Sequence, residues 1–252
     1  MGKNYVIGDI QGCYRSFQEL LNTIGIGAED HMWCVGDLVN RGADSYKVLR
    51  FIVDHQNQMH TVLGNHDVHL MRRFFLKTSS KQGDTLEELL QSPDSEELIG
   101  WLAKQPWMVE LRDAIIVHAG IHPFWTLEKV RNMMQRYNGL FASAEGRLQY
   151  LPKNRIPEEV SLLISMRALD HAGSPLNFKG PQDQLGEGAY PWFSHPKKID
   201  LGKKIVFGHW SALGIYVGES VVGLDSGCVW GGKLTGICLE DGKIYSVPSR
   251  ED

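Results

Sequence analysis

Trp33-Cys-Val-Gly-Asp-Leu-Val-Asn-Arg-Gly42 is the stretch whose reading decides the fold. The apolar run from Met32 to Val35 reads as a buried strand; Gly36 then releases the backbone and leaves Asp37 at the strand's carboxyl end. Open α/β sheets bind their ligands at that edge. A carboxylate there can offer one oxygen to each of two metal ions, and Arg41, a few residues on, can reach a phosphate held by those ions. Gly-Asp and Asn-Arg-Gly also make good turns, so taken alone the stretch reads better as a capped strand-to-helix loop.

The same pattern, an apolar strand followed by metal-binding residue types, recurs on both sides of it. Tyr5-Val-Ile-Gly8 leads into Asp9-Ile-Gln-Gly12, and Thr61-Val-Leu-Gly64 into Asn65-His66-Asp67. Ile115-Ile-Val117 leads into His118-Ala-Gly120, and Ile205-Val-Phe-Gly208 into His209-Trp210. Each fragment is a weak signal. Together they place five strand ends around one site.

Between these strands, Phe17, Leu20, Leu21 and Ile24 have helical spacing, closed by Gly25 and Gly27. A second helix runs from Ser45, its expected N-cap, to His55. The β-α-β-α-β opening predicts a parallel core with right-handed crossovers. A helix over 68–76 carries Arg72 and Arg73, read as a solvated face. Residues 84–104 read as two helices broken near Pro93, and 107–117 as a hairpin. Residues 124–199 differ in character, being mostly helical and loop-like and rich in aromatics: Trp125, Tyr137, Phe141, Tyr150, Phe178, Tyr190, Trp192 and Phe193. They are expected to form a cap over the strand ends, with some rings free to stack a base. Strands return over 203–207, 221–224, 234–239 and 243–247, which suggests a second sheet packed on the first. The expectation is one domain over 1–252, its cap inserted between two β-rich halves.

The 252 residues carry 42% hydrophobic and 22% charged side chains, which suits a soluble globular protein with a sizeable core. A net charge of −4 argues against binding bulk nucleic acid or an anionic membrane. Any polyanionic substrate must therefore be held by local charge, which two divalent cations would supply. Cys13, Cys34, Cys228 and Cys238 form no Cys-x-x-Cys pair and read as reduced thiols of a cytoplasmic protein. The first strand starts too early for a signal peptide to precede it, and no apolar run is long enough to cross a membrane.

In order, Gly8-Asp9-x-Gln11-Gly12, Gly36-Asp37-x-x-Asn40-Arg41-Gly42, Gly64-Asn65-His66-Asp67, His118 and Gly208-His209 resemble the signature of the calcineurin-like metallophosphoesterases. Arg167 in Ser-Met-Arg, Pro191-Trp-Phe193, Phe207-Gly-His-Trp210 and Leu224-Asp-Ser-Gly-Cys-Val-Trp-Gly-Gly232 further resemble the bacterial symmetrical diadenosine tetraphosphate hydrolases. The resemblance implies an α/β fold of two mixed sheets packed together, flanked by helices and bearing a mostly helical cap. It implies a binuclear centre, with Asp9, Gln11 and Asp37 on the first ion and Asp37, Asn65, His118 and His209 on the second. Manganese is the expected metal, and cobalt, iron, zinc and magnesium suit the same ligands. His66 would protonate the leaving oxygen, with Arg41 and Arg167 clamping the scissile phosphate. The implied substrate is a dinucleoside polyphosphate, including such caps on RNA ends.

Two departures qualify that reading. The wider superfamily has His where this chain has Gln11, which makes the first site richer in oxygen. The related phosphoprotein phosphatases have Asp where Asn40 stands and use it to orient the acid histidine. Asp67 or a backbone carbonyl is left to orient His66. A Ser/Thr phosphoprotein phosphatase of the same fold and a non-catalytic phosphate-binding regulator are the rival readings. His31, His55, His60, His69, His122, His171 and His195 read as structural or surface residues, with His69 and His122, close in sequence to proposed ligands, the first candidates for a role at the site.

Overall fold

Alternation along the central strands decides how the sheets stack. In the computed structural model, which describes residues 2–251, Val6 of β1 (Asn4–Ile7) turns to one face, while Tyr5 and Ile7 turn to the other. Val6, Val35, Val62 and Ile237 from one sheet meet Ile116, Val206, Val222 and Leu224 from a second in a layer of β-branched and aliphatic side chains, each 2% exposed or less. Helices cover the outer faces. In α1 (Tyr14–Ile24), Phe17, Leu20, Leu21 and Ile24 are buried, and Gly25 ends the helix in the left-handed conformation.

The first sheet has β1, β2 (His31–Cys34) and β3 (Met59–Thr61) parallel, linked through α1 and α2 (Ser45–Asp54). After α3 (Asn65–Phe75), α4 (Glu87–Gln91) and α5 (Ser95–Leu102), the hairpin of β4 (Met108–Glu110) and β5 (Ala114–Val117) begins the second sheet. Residues 124–199 hold α6 (Leu127–Tyr137), α7 (Ala144–Tyr150) and α8 (Glu158–Ser165). They also hold a small antiparallel sheet of β6 (Ala168–Asp170), β7 (Pro175–Leu176) and β8 (Ala189–Pro191), where the sequence pattern predicts loop. Its strands are too short to show a period.

The second sheet is completed by β9 (Lys204–Phe207), β10 (Tyr216–Val217) and β11 (Val221–Gly223), in the order β10-β11-β9-β5-β4. The β-rich ending does not all belong to it. β12 (Lys233–Cys238) and β13 (Ile244–Pro248) return to the first sheet, β12 pairing antiparallel with β1, in the order β13-β12-β1-β2-β3. Ser45 is likewise not a cap. It is the first helical residue of α2, and its Oγ accepts the Asn40 backbone N–H at 2.8 Å.

Candidate metal centre

The residues after β1, β2, β3, β5 and β9, all strands in parallel pairs, converge at the strands' carboxyl ends. The backbone there is unusual. Gln11, Asp37, Asn40, Arg41 and His209 all have positive φ, at 46°, 49°, 77°, 70° and 65°. Non-glycine residues adopt this region at a cost, and such strain gathers at functional sites. Close approach also fixes two glycines: a Cβ on Gly208 would strike an Asp9 carboxylate oxygen, and one on Gly64 an Asp37 oxygen.

Asp37 Oδ2, His118 and His209 bring ligand atoms within 4.8 Å of one another, all three residues buried. His118 Nε2 stands 3.4 Å from Asp37 Oδ2, while its Nδ1 donates to the Val35 carbonyl at 2.9 Å and leaves Nε2 to face the cluster. Asn65 Oδ1 lies 3.3 Å from His118 Nε2. Asp37 Oδ1 accepts the His66 N–H at 2.7 Å, at the amino end of α3, where the helix dipole favours a carboxylate. Asp9 lies beside this group and accepts the His209 N–H at 3.0 and 3.2 Å. Gln11 Nε2 is 3.5 Å from Asp37 Oδ2, a long contact.

The electrostatics call for a cation. Burial pushes the Asp9 carboxyl up, and Asp225 adds to the rise. Burial acts the same way on Asp37, but the imidazoles of His118, His66 and His209 hold it well below the carboxylate range. Burial would lower His118, yet Asp37 and Asp9 bring it to about 9. Burial, with His118 and Arg167 nearby, lowers His209. One imidazole thus holds the positive charge that the buried carboxylates demand.

Asn65 tests whether a metal fits. Its amide turned round would donate from Nδ2 to His209 Nδ1 at 2.8 Å, to His118 Nε2 at 3.3 Å and to the Ile164 carbonyl at 3.1 Å. Asp37 and His209, and His118 once it gives up its Nε2 proton, therefore aim lone pairs at one place, where a cation can replace that proton. That donor set of carboxylate, imidazole and amide oxygen suits a divalent transition metal.

His66 stands 4.0 Å from Asp37 Oδ2 by its Nε2, while its Nδ1 meets Asn40 Nδ2 at 3.0 Å. Asn40 Oδ1 accepts two backbone N–H groups, from Arg41 at 2.9 Å and Thr85 at 3.0 Å. The amide orientation is therefore fixed, and Nδ2 donates to both His66 Nδ1 and Asp84 Oδ1, the latter at 3.2 Å. Neither Asp67 nor a carbonyl orients the ring. Asp67 instead accepts the N–H groups of Asp37, Leu38 and Gly64 at 2.8, 3.0 and 2.9 Å, joining the loops after β2 and β3.

Asp84, which the motifs did not mark, is a hub. It accepts from His69 Nε2 at 2.7 Å, Arg73 at 3.2 Å and the Lys81 N–H at 2.8 Å besides Asn40. Arg73 is thus a buried ion-pair partner and not part of a solvated face; Arg72 donates to the Leu151 carbonyl at 2.7 Å. His122 donates from Nε2 to the Gly173 carbonyl at 2.9 Å and accepts the Phe124 N–H at Nδ1 at 3.3 Å, and is not among the clustered residues. Asp225, quoted within a motif but given no role, is buried, and burial lifts its carboxyl to about 6 against the Gly227 N–H.

A cleft of about 590 Å³ opens over these groups, lined by Gln11, Asp37, His66, Arg167, His209 and Asp225 among others. Arg167 donates to the His209 carbonyl at 3.2 Å, while its Nε is buried with no partner among the described residues. Arg41 also lines the cleft but donates to the Gln82 and Gly83 carbonyls, each at 3.1 Å.

The family model described as calcineurin-like phosphoesterase matches residues 3–223. A protein of Aromatoleum aromaticum named "Bis(5'-nucleosyl)-tetraphosphatase, symmetrical" is 39% identical, covering 96% of both chains. A protein of the same name from Chromobacterium violaceum is 37% identical, covering 97% of this chain and 94% of its own. A crystal structure described as a candidate diadenosine tetraphosphatase superposes with a TM-score of 0.72 at 26% identity, covering 98% of this chain and 94% of that one. A serine/threonine phosphatase of Saccharomyces cerevisiae, at 16% identity and a TM-score of 0.63 over all of this chain and 80% of its own, shares the fold.

Proposed function

The chain belongs to the calcineurin-like phosphoesterase family, and from that premise we propose that it is a metal-dependent hydrolase splitting diadenosine tetraphosphate symmetrically into two ADP. The observation that carries the reading is the convergence of ligand atoms of Asp37, His118, His209 and Asn65 in a cleft that Arg167 also lines. Asp9, Gln11 and Asp37 would hold a first divalent ion, manganese by preference, and Asp37, Asn65, His118 and His209 a second. Bound there, such ions supply Lewis acidity that makes water nucleophilic at neutral pH and offset phosphate charge.

The chain's own residues do the rest. Because Asn40 donates to Nδ1 of His66, the neutral imidazole carries its proton on Nε2, the nitrogen facing the centre. That proton can pass to the leaving phosphate oxygen as the central P–O bond breaks. Arg167 lines the cleft, where its guanidinium would pair with the scissile phosphate, and Arg41 is within the same cleft. Related dinucleoside polyphosphates, including such caps on RNA ends, carry the same central linkage. The four cysteines are free and buried, and no helix among the described residues is long and apolar enough to cross a membrane. We take the chain as one cytoplasmic domain with a cap over 124–199.

Rates on diadenosine tetraphosphate and on a phosphopeptide, each with manganese or cobalt and with a chelator, test this. The dinucleotide should be cleaved in a metal-dependent way. Fast dephosphorylation of the peptide alone would favour a phosphoprotein phosphatase, and phosphate binding without turnover a regulator.

A further inference from the structure

Trp230 is 67% exposed, the only tryptophan in the exposed class among the described residues, and it lines the same cleft as the metal centre. An exposed indole is a large apolar surface left in water, and Trp230 sits on a tied-down stretch of backbone. It ends the turn Cys228–Trp230, set between Gly227 and Gly231 with φ of 70° and 82°. Trp230 N–H donates to the Gly227 carbonyl at 2.9 Å and Gly231 N–H to the Cys228 carbonyl at 3.0 Å, with Cys228 anchored in the core. No aromatic of the cap is so placed. Trp125, Phe141, Trp192 and Phe193 are at most 6% exposed, and Phe178 packs edge-on against Trp210.

The cleft around Trp230 is cationic. Arg41, Arg72, Lys81, Lys153, Arg167 and Lys179 line it. Burial lowers the Lys81 ammonium, Asp84 raises it, and Lys153, Arg72 and Arg41 add like-charge repulsion, so four of these cations share a neighbourhood; the cleft's six Lys and Arg side chains outnumber its three carboxylates, Asp37, Asp84 and Asp225. A ligand with several phosphates and a flat apolar end matches both features: a nucleoside polyphosphate. Its phosphates answer the cations, and its base answers the indole, since every base has a π-face on which an aromatic ring can stack. The volume of about 590 Å³ admits a ligand of that size.

We propose that Trp230 is the platform on which a nucleobase of the substrate stacks. The proposal rests on the reading of the chain as a dinucleoside polyphosphate hydrolase and names the residue that recognises the nucleoside there. It accounts for the run Ser226-Gly-Cys-Val-Trp-Gly-Gly232, whose glycines shape the turn that holds the ring out.

The test compares wild type, Trp230→Ala and Trp230→Phe, with Leu148→Ala as a control at an equally exposed apolar residue outside the cleft. KM for diadenosine tetraphosphate is measured, together with inhibition constants for ADP and inorganic pyrophosphate. Trp230→Ala should raise KM and the ADP constant roughly ten- to a hundredfold and change the ratio of ADP to pyrophosphate constants in step. Trp230→Phe should restore most of the loss, and Leu148→Ala should match wild type. Titration of ADP into the manganese-loaded protein should quench tryptophan emission in wild type and not in Trp230→Phe. Equal weakening of ADP and pyrophosphate, or a quench retained without Trp230, overturns the platform. A wild type that cleaves no dinucleotide overturns the functional reading and the platform with it.

Discussion

The side-chain amide of Asn40 stands 3.0 Å from Nδ1 of His66, and its other contacts leave it only one orientation. It therefore sets which nitrogen of the imidazole carries the proton. Asn40→Ala should lower kcat by roughly tenfold or more with metals still bound, and cost about 1–3 kcal/mol of stability from the buried groups left unpaired. Asn40→Asp should favour the charged ring, because a carboxylate accepts from Nδ1–H, while it loses the donor to Asp84 Oδ1 at 3.2 Å. Since it stabilises the protonated form, His66 would stay protonated to higher pH, moving that limb of the pH–rate profile upward. Identical profiles and kcat for all three proteins would remove Asn40 from the account.

The strand ends were legible in the sequence because each is local: an apolar run with Asp9, Asp37, Asn65, His118 or His209 within a few residues of its end. The Asn40–His66 contact was not, since it needs Thr85 and Asp84, drawn from a loop far along the chain, to fix the amide. The return of β12 to β1 joins chain ends and leaves no mark in either strand's pattern. Aromatic content suggested base stacking in the cap, but composition does not report exposure. Trp192 and Phe193 lie against Phe207 in the core, whereas Trp230 is in water.

Asp37→Asn and His66→Ala should fail in different ways. Losing the charge of Asp37, around which His118 and His209 gather, should lower metal content as well as rate. Losing His66 should leave metal content near wild type and slow turnover by roughly a hundredfold or more. Metal analysis beside steady-state rates separates them. A purified His66→Ala protein without metal would show that His66 is a ligand and not the acid.

Gln11 has φ of 46° and reaches Asp37 only at 3.5 Å, so its amide is free to turn its oxygen toward an ion. An amide oxygen holds later transition metals more weakly than imidazole does. Gln11→His should preserve activity, shift preference from manganese toward zinc and slow release of metal to a chelator. Unchanged release kinetics would mean that Gln11 touches no ion.

Away from the site, Glu110 of β4 binds Arg131 of α6 through both oxygens at 2.8 and 2.9 Å and meets Lys203 at 2.9 Å. Arg131 and then Lys203 hold its carboxyl at about 2, below the usual 4.5. The contribution is therefore fully present above pH 4.5 and is lost as pH falls toward 2. Glu110→Gln should cost on the order of 1 kcal/mol at neutral pH after solvent screening, measured by denaturant unfolding. The gap from wild type should close as the acid range is entered. A gap independent of pH would contradict the linkage.

The most direct measurement is product analysis at early times with diadenosine tetraphosphate, manganese and water enriched in oxygen-18. An enzyme in which water attacks an inner phosphate and the bond to the central bridging oxygen breaks releases ADP as the only nucleotide, with one labelled oxygen for each pair formed. ATP and AMP appearing together, or ADP without label, would contradict it.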